Sequence, residues 1–149
     1  MEFHYSDALT HLMGHVLKLH RENVDFLIQA YDVYPGQPPL LMRLVEKDGQ
    51  VQKELASRLS IKPATLTVMV NRMEKNGLVL RKPDPVDQRV SRVFLTDKGR
   101  RAAEAVTQAL SVIESACLQH VDEEEKRLLR RLLQQMYRNL EEFKREQQR

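Results

Sequence analysis

Tryptophan is absent from this 149-residue chain, phenylalanine and tyrosine together reach only 5%, and there is a single cysteine, Cys117. With so few rings, the core has to be built from Leu, Val, Ile, Met and Ala, the stuff of packed helices. One cysteine excludes an internal disulfide and fits a reducing compartment. The five glycines form no phosphate-cradling loop, and neither a Gly-x-Ser-x-Gly elbow nor a His-Glu-x-x-His pair occurs. No enzyme and no cofactor are therefore expected. No apolar run approaches the roughly 20 residues that span a bilayer. The opening MEFHYSDALTHLMGH also lacks the basic and apolar blocks of a secretory leader. The expectation is a cytoplasmic protein of one domain by size, 42% hydrophobic and 30% charged.

What is present is concentrated in the middle. The net charge of +3 is unremarkable, but Gln50 to Arg101 holds 12 Lys/Arg against 5 Asp/Glu, so this stretch carries +7 and the remainder −4. A basic middle between acidic-leaning ends suits a lobe that meets a polyanion. Within it, Leu55, Ala56 and Leu59 mark one face of a short helix from about Gln52 to Leu59. Ser60-Ile61-Lys62 is a turn, and Pro63 fits the first position of a second helix. That helix turns Leu66, Met69, Val70 and Met73 inward and stops at Gly77. Its other side presents Ala64, Thr65, Thr67, Val68, Asn71, Arg72 and Lys75, small, hydrogen-bonding or cationic groups suited to a groove. Leu78–Lys82 and Val90–Leu95 read as two strands. Pro83 to Arg89 lies between them as a proline-stiffened basic loop. Helix-turn-helix plus hairpin is a winged helix, whose second helix can enter a major groove while the loop reaches a minor groove.

The fragments GQPPLLMRL, KELASRL, PATLTVMVNRMEKNGLV and DQRVSRVFLTDKG, in this order and spacing, resemble the MarR family of bacterial transcriptional regulators. The resemblance covers essentially the whole chain. Val51 stands where the family often has a capping Ser or Thr, and Val68 where many members carry a larger polar or basic residue.

The ends carry long apolar stripes. Ser6 to about Ala30 reads as a helix capped by Ser6 or Asp7, with Ala8, Leu9, Leu12, Met13, Val16 and Leu19 recurring at helical spacing. A shorter helix after Gln37 should bury Leu40, Leu41, Leu44 and Val45. Beyond the wing, Thr96 or Asp97 opens a helix that keeps an apolar face through Cys117, which makes that thiol expected core filler. After the acids Asp122 to Glu125, the last helix repeats Leu129, Leu132, Leu133, Met136, Leu140 and Phe143. His11 and His15 are i, i+4 neighbours, but no acid or further ligand at convincing spacing accompanies them, so no metal is expected.

The expectation is thus a mainly α winged helix-turn-helix in one compact chain. Residues 1–34 form an N-terminal dimerisation helix, 36–100 the DNA-binding lobe, and 101–149 the C-terminal dimerisation helices. The candidate DNA contacts are Lys62, Ala64, Thr65, Thr67, Val68, Asn71, Arg72, Lys75, Arg81, Asp87, Arg89 and Arg92. Leu9, Leu12, Leu129, Leu132, Leu133, Met136, Leu140 and Phe143 are the candidate dimer contacts. The terminal stripes and the resemblance together imply a homodimer on duplex DNA, and the resemblance implies a repressor with either no ligand or a small effector between dimer and DNA lobes. Near the junction of the first, second and fifth helices, His11, His15 and Arg43 are the candidate polar contacts for it. The competing expectation is a winged helix that meets only other proteins, since fold does not fix function.

Overall fold

The computed structural model describes residues 2–149, which divide into a first unit ending at Ile113 and a second over 114–149. In the first unit, helix α1 (Leu9–Ile28) is preceded by a short 3₁₀ turn at Tyr5–Asp7 and followed by another at Gln29–Tyr31. Ser6 and Asp7 therefore do not cap α1. Ala8, in extended conformation, takes the cap position with no side-chain bond, and its carbonyl receives the amides of His11 and Leu12. Only Val24 and Ile28 of α1 are buried, so the helix enters the core by its last turns.

Two prolines open α2 (Pro38–Glu46), where a missing N–H costs nothing. Leu40, Leu41 and Leu44 are buried as expected, but Val45 is 54% exposed, because the helix turns only a narrow stripe inward. The chain then makes an unforeseen strand, β1 (Gln50–Val51), before α3 (Gln52–Arg58). Gln50 is buried and fully used. Its Nε2 donates to the carbonyls of Arg43 (2.5 Å) and Lys47 (2.6 Å), and its Oε1 accepts from Arg58 Nη1 at 2.9 Å. One amide thereby closes the end of α2 and ties it to α3.

Helix α4 (Pro63–Lys75) follows a tight turn in which Ser60 is left-handed, with φ 54°. Leu66, Val70 and Met73, spaced four and three apart, are buried against α3. Gly77, at φ 75°, stops the helix. Its amide donates to Glu74 O (3.0 Å) and that of Leu78 to Met73 O (2.9 Å), the paired closure that favours glycine.

The sheet is antiparallel in the order β1-β3-β2, with β2 at Val79–Pro83 and β3 at Ser91–Leu95. Its register runs from Val79↔Leu95 to Pro83↔Ser91, and Val51 faces Arg92. Pro83 thus belongs to the ladder rather than the loop. It is tolerated because β2 is an edge strand and Pro83 its last residue.

Helix α5 (Asp97–Cys117) is capped by Thr96, whose Oγ1 accepts from Gly99 N at 3.0 Å. Ala102, Ala103, Val106 and Ala109 pack into the same core as Leu44, Leu66, Val70 and Val93. The small alanines let α5 approach closely. The apolar face does not stay covered to its end, since Ala116 and Cys117 are exposed; the thiol is not core filler within this chain.

In the second unit, His120 turns the chain at φ 66° and Asp122 starts α6 (Glu123–Gln147) with a reciprocal capping box. Asp122 Oδ1 accepts from Glu125 N at 2.8 Å and Glu125 Oε2 from Asp122 N at 3.0 Å. None of the residues of this 25-residue helix is buried.

Candidate nucleic-acid interface

Three pieces of the first unit build a cationic face: the start of α4, its outward side, and the loop between β2 and β3. Lys62, extended at the N-cap, has no side-chain bond to the helix. The amides of Ala64 and Thr65 lie in the first turn, where no intrahelical acceptor exists, so they present the positive end of the helix dipole. Ala64, Thr65, Val68, Asn71, Arg72 and Lys75 are all exposed. Lys62 and Lys75 enter no ion pair among the described residues. Thr67 is more occupied than the sequence suggested. Its Oγ1 donates to Pro63 O (3.0 Å) and accepts from Gln52 Nε2 (2.9 Å), fixing α3 on α4. Arg72 lies 5.9 Å from the centroid of the Tyr34 ring, a cation–π contact that steers its guanidinium.

The loop from Asp84 to Val90 is organised by two carboxylates. Asp84, 9% exposed, accepts from the amides of Val86 and Asp87, each at 3.0 Å, and from Arg92 Nε at 2.6 Å. Arg92 completes the brace by donating from Nη1 to Gly49 O at 2.9 Å. The amide of Asp87, then Arg92, then the amide of Val86 hold the Asp84 carboxyl below the usual carboxylate range. Further out, Asp87 takes Arg89 in a two-pronged pair, Nε to Oδ1 at 3.0 Å and Nη2 to Oδ2 at 3.2 Å, and also accepts the Arg89 amide at 3.1 Å. The Arg89 side chain, then its amide, hold Asp87 low in the same way. A carboxyl lowered in the fold contributes stability above its unfolded pKa of about 3.9 and loses it as pH falls through the folded value. Both loop locks are therefore closed at neutral pH.

The side chain of Arg89 nonetheless remains 91% exposed. Asp87 aims the guanidinium without covering it. Arg81 differs, since its guanidinium is spent on Asn71 Oδ1 and on Glu74 Oε1 (3.3 Å), while its amide donates to Glu74 Oε2 (3.0 Å). This links α4 to β2, so Arg81 and Arg92 stiffen the interface from within. Between α3, the start of α4 and the loop lies an open cleft of about 580 Å³, walled by Gln52, Lys53, Thr67, Arg81 and Arg89.

Asp84, Gln52, Glu74 and Tyr34 are the parts the sequence reading missed. The Asp84-Pro85 pair was a usable signal, because Asp before Pro favours a side-chain-closed turn. Gln52 and Tyr34 are long-range partners, and Glu74 meets Arg81 only across the turn at Gly77, with no local pattern.

The remaining candidates are scattered. His11 and His15 face each other on α1, Nε2 to Nε2 3.0 Å apart, with the Tyr5 ring against His11. Arg43 pairs with Glu46 at 3.2 Å. A separate cleft of about 480 Å³ between α2 and α5 is lined by Leu44, Val45, Asp48, Arg100, Thr107 and Gln108, and by none of those three. No helix is long and apolar enough to cross a membrane, and no group of three or more metal-ligating side chains occurs among the described residues.

Comparison with known proteins agrees with this geometry. The MarR family profile matches residues 34–91, from the loop before α2 to the start of β3. The HTH-type transcriptional regulator TtmR of Methylorubrum extorquens is 45% identical over 74 residues, half of this chain, which spans only 38% of that protein. The transcriptional regulator HosA of Escherichia coli O111:H- is 30% identical over 105 residues, covering 70% of this chain and 78% of that one. A solved MarR transcriptional regulator from Methanosarcina mazei Go1 superposes with a TM-score of 0.79 at 26% identity, over 89% of this chain and 95% of that one. The chain belongs to the MarR family, and its α3–α4 pair and braced β2–β3 loop are the winged helix-turn-helix of a DNA-binding transcriptional regulator.

Proposed function

We propose that the protein is a homodimeric repressor that works in the cytoplasm, binds an inverted-repeat operator and is released by a small molecule. The observation that carries the reading is Arg89, an almost fully exposed guanidinium aimed by a two-pronged carboxylate at the tip of a braced loop. Such a group suits a narrow minor groove, where the potential is most negative over A·T-rich sequence. Lys62, Arg72, Lys75 and the first-turn amides of α4 then meet phosphates, while Thr65, Asn71 and Val68 lie toward base edges, Val68 against a thymine methyl. Arg81, Asp87 and Arg92 hold these groups in place. With two copies, the half-site centres fall about one helical turn, roughly 34 Å, apart.

Duplexes selected from a random pool supply the operator for the test. Arg89→Ala should fold and dimerise normally, because an exposed ion pair contributes only about 0–1 kcal/mol. It should lose on the order of 1–3 kcal/mol of operator binding per half-site, with a shallower dependence on salt. Undiminished affinity in an intact Arg89→Ala dimer removes the loop from the interface. Failure of the unaltered chain to retain any duplex favours the protein-contact reading instead.

For release, the α2–α5 cleft offers an apolar floor of Leu44 and Val45 beside Arg100, whose guanidinium lies 3.2 Å from Asp48. Asp48 and Glu104 also line it, so a ligand with an apolar body and hydrogen-bond donors or a cationic group fits that combination. To release DNA it has to prefer the DNA-free form, since equal affinity for both forms shifts nothing. Calorimetry is expected to show tighter ligand binding without operator than with it; equal binding rules out that effector.

A further inference from the structure

We propose that Lys98 is a positioning residue for DNA recognition, a latch that fixes the exit of the recognition helix α4 to the end of the α1 arm. This rests on the DNA-binding reading of α4. The Lys98 ammonium has two acceptors from distant parts of the chain, Asn76 O at 2.8 Å and Asp32 Oδ2 at 2.7 Å. Asn76 is the C-cap of α4, and Asp32 closes the 3₁₀ turn that continues α1. Lys98 itself lies in the first turn of α5. Three helices meet at one nitrogen.

Each partner is shaped for this contact. The last carbonyls of a helix carry its negative partial charge and have no intrahelical donor, so a cation placed there is favoured. The next carbonyls along are gripped from the same side, with Thr96 Oγ1 lying 2.5 Å from Gly77 O and 3.1 Å from Leu78 O. The Lys98 stem passes over Gly77, where a Cβ would stand 3.8 Å from its Cδ. Asp32 adopts a left-handed backbone, φ 59°, which costs Gly less than Asp. The carboxylate at that position is explained by the ammonium it reaches. At 44% side-chain exposure Lys98 is accessible, yet its charge is already committed to the protein.

The pitch of α4 relative to the arm that carries α1 is thus set in part by a contact made wholly within the protein. Loosening it should blur the fit to a specific site and leave general phosphate attraction alone. Lys98→Met, Lys98→Arg and Asp32→Asn are to be compared with the unaltered chain for affinity to the selected operator and to a scrambled duplex across a salt series, well below their melting temperatures. Lys98→Met should weaken operator binding about tenfold, leave scrambled-duplex binding and the salt slope unchanged, and be largely rescued in Lys98→Arg. Asp32→Asn, which keeps the grip on Asn76 O, should show the same loss of discrimination in smaller measure. A parallel loss on both duplexes with a shallower salt slope makes Lys98 a phosphate contact and overturns the latch. Unchanged operator binding in both Lys98→Met and Asp32→Asn also overturns it. If Lys98→Met does not fold, Asp32→Asn decides, and undiminished discrimination there is fatal to the proposal. Failure of the unaltered chain on every duplex sinks the DNA-binding reading and not the latch alone.

Discussion

Gly99→Ala is expected to cost about 3 kcal/mol or more, the range of a severe overpacking, and to lower the melting temperature by roughly 10 °C. The helical backbone at Gly99 suits any residue, so the cost comes from space. A Cβ built there collides with the carbonyl oxygen of Leu78, comes within 3.0 Å of its carbon, and meets Leu95 Cδ2 at 3.3 Å. The obstacle is backbone, and that backbone is pinned. Leu78 O accepts from the amide of Thr96 at 3.1 Å, and the amide of Leu78 closes α4. Relief requires the start of α5 to lift from the exit of α4, which undoes the contacts of the Thr96 hydroxyl with Gly77 O and Leu78 O and the Lys98 contact together. Gly14→Ala is the control. Nothing lies within 4 Å of a Cβ at Gly14 in α1, so alanine's helix propensity should raise stability by about 1 kcal/mol. Thermal melts of the two variants decide the matter: equal behaviour would mean that the α4–α5 joint yields without cost.

What could be read in advance follows how local each cause is. The recognition helix was legible because Pro63, the Leu66–Val70–Met73 stripe and Gly77 each act within a turn or two of where they stand. The loop was legible in part for the same reason, since Pro85 and Asp87-x-Arg89 act from within it, while the Asp84 lock and the place of Pro83 in the ladder were not. Strand β1 was not, because two residues have no periodicity and Gln50–Val51 is a strand only by virtue of β3, more than forty residues later. Arg81 and Arg92 looked like free cations in a basic stretch. Their carboxylate partners, Glu74 and Asp84, are seven and eight residues away, and only the folded α4–β2 turn and the hairpin bring them round. The candidate interface thus contains fewer free charges than a count of Lys and Arg suggests, and among its paired arginines Arg89 stands out by exposure rather than by lack of a partner. Exposure of Cys117 was missed because an apolar stripe tells which side of a helix is greasy, not whether anything in the same chain covers it.

That gap between greasy and covered leads to the proposed homodimer, and to the variant carrying Leu129→Arg and Leu133→Arg. Both leucines are exposed in the single chain, 42% and 44%, so a lone protomer loses little when they become charged, within about 0.5 kcal/mol each. Helix α6 nevertheless carries Leu128, Leu129, Leu132, Leu133, Tyr137, Leu140 and Phe143 exposed, and at the other end of the chain Leu9, Leu12, Val16, Leu19 and Phe26 are exposed on α1. None of the 25 residues of α6 is buried, and most helical stability in proteins comes from tertiary burial. In the homodimer proposed above, a second copy of the chain would supply that burial, at about 1.5–3 kcal/mol per leucine fully covered. Two arginines on that seam remove this gain and add repulsion across the two-fold axis. Sedimentation should therefore move from dimer mass to monomer mass while the winged-helix unit keeps its fold, read from its own amide spectrum. Operator affinity should fall by about 10²–10⁴, the span that linking two half-site readers contributes through effective concentration. Binding to a single half-site duplex should hardly change. If the double variant remains dimeric, the seam lies elsewhere. If it becomes a monomer that still grips the full operator with undiminished affinity, the two-fold operator reading fails with it.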